Sequence, residues 1–373
     1  IRSIVHANKP RYNWLDEARA RRGCLELSQQ KLDLGGAELG DEGTRAIVPH
    51  IPHTLEELVL YDNNIGAGGV RVIAPHVSAM RALHTLCLFY NKIDAEGAWA
   101  LGPHLPLTLK KLDLRRNELG DKGARAIAPH IPPTLLKLDM SSNAIGEEGA
   151  AAIAPYLPPT LRELYLGYNR IGPEGARAIA PHLRAMRALL TLFLGYNDIG
   201  AEGAQALGPH LPPTLHSLNL ACNGIETEGV RSIAPHVGAM STLEVLDLHY
   251  NAIGAEGATA IAPHLRAMSA LLSLRLGDND FGAEGVRAIA PHLPPTLHTL
   301  DLSDNSLGAD GARALAPHLP PTLKELDLGD NALGDEGVRA LAPHLPPTLQ
   351  ELDLNYHNHI GDEGACALAP HLP

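Results

Sequence analysis

The sequence predicts an α/β solenoid: one elongated domain in which a strand, a turn, a helix and a return loop repeat about thirteen times. Three observations carry this. The motif L-x-L-x-x-N recurs at spacings of 26 or 28 residues, each copy leads into a stretch of the form I-G-x-E-G-A-R-A-I-A, and twelve of the thirteen units then run through P-H near the helix end. A length of 373 residues would by itself suggest two or three globular domains, but a fixed-period array grows in one dimension without splitting its core.

Each element follows from its residues. In Glu325-Leu326-Asp327-Leu328 apolar and polar positions alternate with period two, the mark of a strand with one buried face. The leucines point in and the residues between them point out. Three residues past the second leucine stands an asparagine in eleven of thirteen units, from Asn63 to Asn331, with Ala37 and His357 in that column at the two ends. A buried amide there has donors and an acceptor to satisfy the turning backbone of neighbouring coils. The second glycine of the turn is present in every unit, acidic residues before it suit a helix N-terminus, and the alanines after it let the helix pack close to the strand layer. Short units leave the helix through LPPT, whose prolines stop it and set an extended return. Long units replace that with segments such as LRAMRALL, so that Met80, Met186, Met240 and Met268 mark helices about one turn longer.

Residues 1–30 depart from the repeat and are expected to form an N-terminal capping segment, with 31–373 the solenoid. Asn13 to Arg22, NWLDEARARR, predicts a capping helix with Trp14 on its buried side, and LELSQQKL at Leu25 to Leu32 partly mimics a repeat strand. The sequence stops at Pro373 with no evident polar cap, so the expectation is either that the protein continues or that an assembly contact covers that end.

Composition narrows the function. The formal net charge of -12 argues against nucleic acid as a partner, and no apolar run approaches the ~18 residues of a membrane helix, so no membrane insertion is expected. Cys24, Cys87, Cys222 and Cys366 are isolated, without CxxC spacing or paired flanking cysteines, which fits a reducing, intracellular and cytoplasmic setting. No Walker motif, nucleophile elbow, HExxH or GxGxxG frame appears, so no cofactor, metal or catalytic residue is expected.

LKELDLGDNALGDEGVRALAPHL at Leu323 to Leu345 and its relatives resemble the ribonuclease-inhibitor-like leucine-rich repeats over essentially all of 31–373. The resemblance implies a horseshoe with a parallel β-sheet on the concave face and α-helices on the convex one. It also implies intracellular protein binding, as in ribonuclease inhibitor and the sensor arms of NOD-like receptors. GARALA at Gly311 to Ala316 looks like the motif of bacterial GALA effectors, although no F-box precedes it.

Within that frame the histidines, from His50 through His130 and His236 to His371, fall near the convex helix ends, where an imidazole can donate to orphan carbonyls and answer the helix dipole. Neighbouring members stand too far apart for one metal. Protonating all twenty would move the formal charge from -12 to +8, which on a pH-response reading destabilises the solenoid in acid.

The aromatics are more informative. Nine of fourteen lie on outward strand positions or the adjoining rim: Tyr61, Phe89, Tyr90, Tyr165, Tyr168, Phe193, Tyr196, Tyr250 and Tyr356. Aromatics favour strands and stack between coils, but tyrosine anchors are also enriched in binding hot spots. Lys111, Arg115, Arg116 and Lys137 make one basic step, while Asp301, Asp304, Asp327, Asp330 and Asp353, with Glu325 and Glu351, make the C-terminal concave stretch acidic. The expected function is a non-enzymatic protein-protein interaction module that binds a partner protein, with a basic segment facing the acidic end. The alternatives are a structural scaffold subunit of a larger assembly and a regulator resembling the Ran GTPase activator, which shares this repeat type.

Overall fold

The computed structural model describes residues 26–27 and 30–371. Its single sheet has fourteen strands in chain order. Thirteen are three-residue strands, from Lys31–Asp33 in coil 1 to Glu351–Asp353 in coil 13, and each is followed by an α-helix. They pair parallel and in register, so that leucine lies beside leucine, as Leu164, Leu192 and Leu218 do in coils 6 to 8. The expected thirteen-coil architecture is present. Parallel strands stack at ~4.8 Å, whereas packed helices need 8–10 Å, so the array bends with the sheet on the concave side and the helices on the convex side.

The leucines of the strands and the apolar side of each helix form one continuous core. In coil 7, Leu192, Ile199 and Leu207 are 0% exposed, and each such side chain contributes roughly 1.5–3 kcal/mol of burial. The invariant second glycine has a steric cause. A Cβ on Gly203 would sit 2.5 Å from Ile199 Cγ2 and 3.1 Å from Ala176 Cβ of the preceding coil, so anything larger would push neighbouring helix starts apart.

The residues just after the recurring P-H pair set the length of each coil. In coil 8, Glu226–Gly238 is one thirteen-residue α-helix with Pro235 inside it. In coil 7 the α-helix ends at Leu207 and Gly208–His210 tightens into a 3-10 turn. Leu211 then turns extended, with ψ 128°, because it precedes Pro212 and a residue before proline is driven out of the helical region. The threonine of the return loop adds a bond between coils that its sequence setting did not announce: Thr160 Oγ1 donates to the carbonyls of Pro133 (2.9 Å) and Leu135 (2.8 Å).

The asparagine column works as expected. Asn197 Nδ2 donates to the carbonyls of Leu166 (3.0 Å) and Leu194 (2.9 Å), and its Oδ1 accepts from the Ile171 amide (3.3 Å). Coil 13 corrects the sequence reading. Asn358, not His357, fills the column there: its Nδ2 donates to Leu328 O (2.8 Å) and Leu354 O (3.0 Å) and its Oδ1 accepts from Asn331 N (3.2 Å). One extra residue in Asn355-Tyr356-His357-Asn358 moves the amide down the chain without removing it from the ladder.

At the other end, Glu26–Leu27 is not a repeat strand. It pairs antiparallel with Lys31–Asp33, with Leu27 opposite Leu32, and so covers the first edge of the sheet. The predicted capping helix, Asn13 to Arg22, lies outside the described residues. Among the described residues no helix is long and apolar enough to cross a membrane.

The histidine column differs from expectation. Among the described residues none of its rings donates to a helix-end carbonyl; those carbonyls accept from the backbone instead, as Gly102 O does from Leu105 N (3.1 Å). The rings pack sideways onto the preceding coil. A Cβ on Gly102 would meet His130 Cδ2 at 2.8 Å, and one on Gly208 would meet His236 Cδ2 at 3.1 Å. In these coils the ring is a flat spacer between helix ends.

Candidate functional site

Four positions per coil present side chains to the concave face: the one before the first leucine, the one between the leucines and the two after the second leucine. The last of these has a distinctive backbone. From Asp62 through Tyr90, Arg116 and Ser142 to Tyr356, every coil holds that residue at φ between 49° and 60°, the left-handed region, and coil 1 places Gly36 there. Main-chain bonds between coils fix the geometry: Tyr168 N donates to Gly195 O (2.8 Å) and Tyr196 N to Ala221 O (2.8 Å). The column is a set of rigid mounts.

The nine aromatics named from sequence divide unequally. Coils 6 and 7 bring four together. Tyr168 and Tyr196 stack at 4.2 Å with planes 12° apart, and Phe193 lies 6.2 Å from Tyr168 and 6.3 Å from Tyr165. Phe193 lies flat because coil 6 has glycine beneath it: a Cβ on Gly167 would fall 2.0 Å from the ring. Coils 2 and 3 hold a second group, with Tyr61 stacked on Phe89 at 4.7 Å and the Arg115 guanidinium 4.5 Å above Phe89. Tyr90 faces Arg116 at 5.7 Å. Among the described residues no ring contact joins Tyr250 or Tyr356 to these groups, although both are exposed.

The charged residues are paired more than their sequence suggests. Arg115 Nη2 lies 3.0 Å from Asp113 Oδ2, its Nε lies 3.7 Å from Asp139 Oδ2, and Lys137 Nζ lies 2.7 Å from Glu163 Oε2. Two of the four cations of the expected basic step, Arg115 and Lys137, thus lie beside acids of their own or the next strand. Burial and the charge of Asp139 push the Asp113 carboxyl up to about 7 against the pull of Arg115. Burial and Asp113 push the nearby Cys87 thiol up to about 12.

The acidic end splits in two. Asp301, Asp327 and Asp353 each accept the amide two residues on, from Ser303 (3.0 Å), Gly329 (3.0 Å) and Asn355 (2.9 Å), so these three close their own turns. Asp304 and Asp330 stand on the left-handed column with Asp278, a residue not singled out from sequence. Burial and the charges of Asp304 and Asp280 raise Asp278 to about 6, and burial and Asp330 raise Asp304.

Sequence reasoning also missed the polar group between the aromatic and acidic tracts. Asp247, 3% exposed, holds His249 Nδ1 at 2.7 Å and accepts from Asn219 Nδ2 at 2.8 Å. His249 Nε2 faces Cys222 Sγ at 3.6 Å. Burial works against a charged imidazole, but the bonds to Asp247 and Cys222 outweigh it and raise His249 to about 10. Burial pushes the hydroxyls of Tyr168 and Tyr196 up from their ordinary value, and Cys222 adds to the shift at Tyr196.

An open solenoid of short parallel strands, backed by helices and stitched by an asparagine ladder, defines the leucine-rich repeat class. Residues 52–74, 106–128, 132–154, 158–180, 186–208, 212–234, 239–262, 268–290, 294–316, 320–342 and 346–369 match the family described as Leucine Rich repeat, and the chain belongs to that family. Among solved structures it is similar to an internalin (inlF) from Listeria monocytogenes str. 4b F2365, at 19% identity over 96% of this chain and 93% of that chain, with a TM-score of 0.54. A TDR receptor aligns at 14% identity over 84% of this chain and 57% of that chain, with a TM-score of 0.45. The internalin likeness bears on the fold alone. Comparison with curated proteins gives no match. Leucine-rich repeats generally act as protein-interaction modules.

Proposed function

We propose that the chain is a non-enzymatic, intracellular interaction module of the ribonuclease-inhibitor-like subtype that takes a basic segment of a partner protein along its concave sheet. The carrying observation is the Tyr168–Tyr196 stack with Phe193 and Tyr165, an aromatic surface outside a core that leucines already fill. Stacked tyrosines lose little conformational freedom on binding, which favours them as anchors. Asp278, Asp304 and Asp330 supply the complementary charge three coils further on, on rigid mounts. The 26- and 28-residue periods support the subtype, and the free thiols of Cys87, Cys222 and Cys366 support a reducing setting.

Panning a random peptide library on the purified chain tests this. Enriched peptides are expected to carry lysine or arginine, and Tyr168→Ala with Tyr196→Ala is expected to weaken them at least tenfold, about 1.4 kcal/mol, with the circular dichroism spectrum retained. Enrichment of acidic peptides, or full binding by the double variant, overturns the reading.

A further inference from the structure

We propose that Cys222, His249 and Asp247 form a thiol-exchange site on the concave face, at which Cys222 forms a mixed disulfide with a disulfide-bearing ligand. The three come from adjacent coils: Cys222 is the left-handed residue of coil 8, and Asp247 and His249 flank the second leucine of coil 9. Asp247 is buried and bonded on both oxygens, Oδ1 to His249 Nδ1 (2.7 Å) and Oδ2 to Asn219 Nδ2 (2.8 Å), with Arg275 Nη1 3.9 Å away. The imidazole is thereby turned so that Nε2 points at the half-buried sulfur, 3.6 Å distant. A cationic imidazole beside a sulfur is the arrangement that favours thiolate. The geometry is specific to this thiol. Cys87, held up near 12 by burial and Asp113, has the opposite environment.

The surroundings select the chemistry. Acyl transfer needs spare donors for an oxyanion, but the Cys222 amide donates to His249 O (2.9 Å) and the Asn223 amide to Asn251 Oδ1 (3.1 Å), so both amides beside the sulfur are used. Disulfide exchange develops no oxyanion. The thiolate attacks one ligand sulfur, the Sγ–S bond forms as the ligand S–S bond breaks, and the departing sulfur takes the electron pair and then the proton of His249 Nε2. Cys222 is oxidised to the mixed disulfide and one half of the ligand is reduced to its thiol. Such a bond is transient in a reducing compartment.

The groups facing His249 are Asp247 on its own strand, Cys222 and Tyr196 from preceding coils, and Arg275 and Asp278 from the following one. The test uses the intact chain, cystamine as a disulfide without negative charge for Asp278 to repel, and peptide mapping of all four cysteines. At pH 7 Cys222 is expected to form the mixed disulfide at least tenfold faster than an unstructured cysteine peptide, and His249→Gln to remove that excess with the rate at Cys366 unchanged. A Cys222 rate equal to that of the peptide overturns the proposal, and that measurement needs no variant. Because the probe is small, failure here leaves the peptide-binding reading standing.

Discussion

At the scale of single residues, the asparagine column bears the greatest structural weight per atom. Asn197 is 0% exposed and satisfies two carbonyls and an amide of the buried backbone. Replacing it with alanine strands those groups where water cannot reach them, at about 1–3 kcal/mol each when unmet. Asn197→Ala is therefore expected to lower stability by about 3 kcal/mol, read from urea unfolding, and a loss below about 0.5 kcal/mol would contradict the ladder. The column was legible because a polar residue recurring at fixed spacing on a buried face must find hydrogen-bond partners in the coils beside it. Asn358 was not, because one inserted residue defeats a fixed register. Cys222 and His249 lie 27 residues apart and become neighbours only when adjacent coils are laid side by side. The clue lay across columns rather than along the chain.

At the scale of elements, local sequence sets the helix ends and packing between coils sets the aromatic surface. The same A-P-H tripeptide lies inside an α-helix in coil 8 and forms a 3-10 turn in coil 10, according to whether a second proline comes after it. That difference was readable in advance. The seat of Phe193 was not, since it depends on a missing side chain one coil earlier. Gly167→Ala is expected to displace the ring, lower stability by about 1–3 kcal/mol as overpacking does, and weaken the near-ultraviolet circular dichroism of the Tyr168–Tyr196 stack. An unchanged spectrum at full stability would show that the ring does not depend on that gap. The acids beside the predicted basic step were hidden for a related reason. Asp113 and Asp139 sit between the leucines of their own strands, and only the register of coils 4 and 5 places them around Arg115.

For the whole molecule, the shifted titrations mostly share one sign. Asp113 and Asp278 are raised to about 7 and about 6 from an ordinary carboxyl value near ~4. The folded state therefore binds their protons more tightly, and stability grows as pH falls through that window. His249, raised to about 10, contributes stability that is complete below ~6.5 and is lost as pH rises through 10. His76 pulls the other way, because burial and His53 lower it. The melting temperature is expected to be higher at pH 5.5 than at pH 8.5, measured by calorimetry, opposite in direction to the acid lability that counting histidines suggests. A lower value at pH 5.5 would mean that general charging of the twenty imidazoles dominates.

The left-handed column has an evolutionary reading. A bulky residue at φ near 55° is strained by about 1–2 kcal/mol relative to glycine, and asparagine or aspartate tolerates that conformation better than tyrosine. Coils 10 to 12 do place aspartate there, while coils 3, 6, 7, 9 and 13 place tyrosine and coil 8 places cysteine. Folding alone would not choose those side chains. The positions where the sequence runs against its own backbone are thus the places where something other than foldability determined the residue. Breeding this chain for heat resistance alone would first erode the tyrosines, and with them the surface by which we propose it recognises its partner.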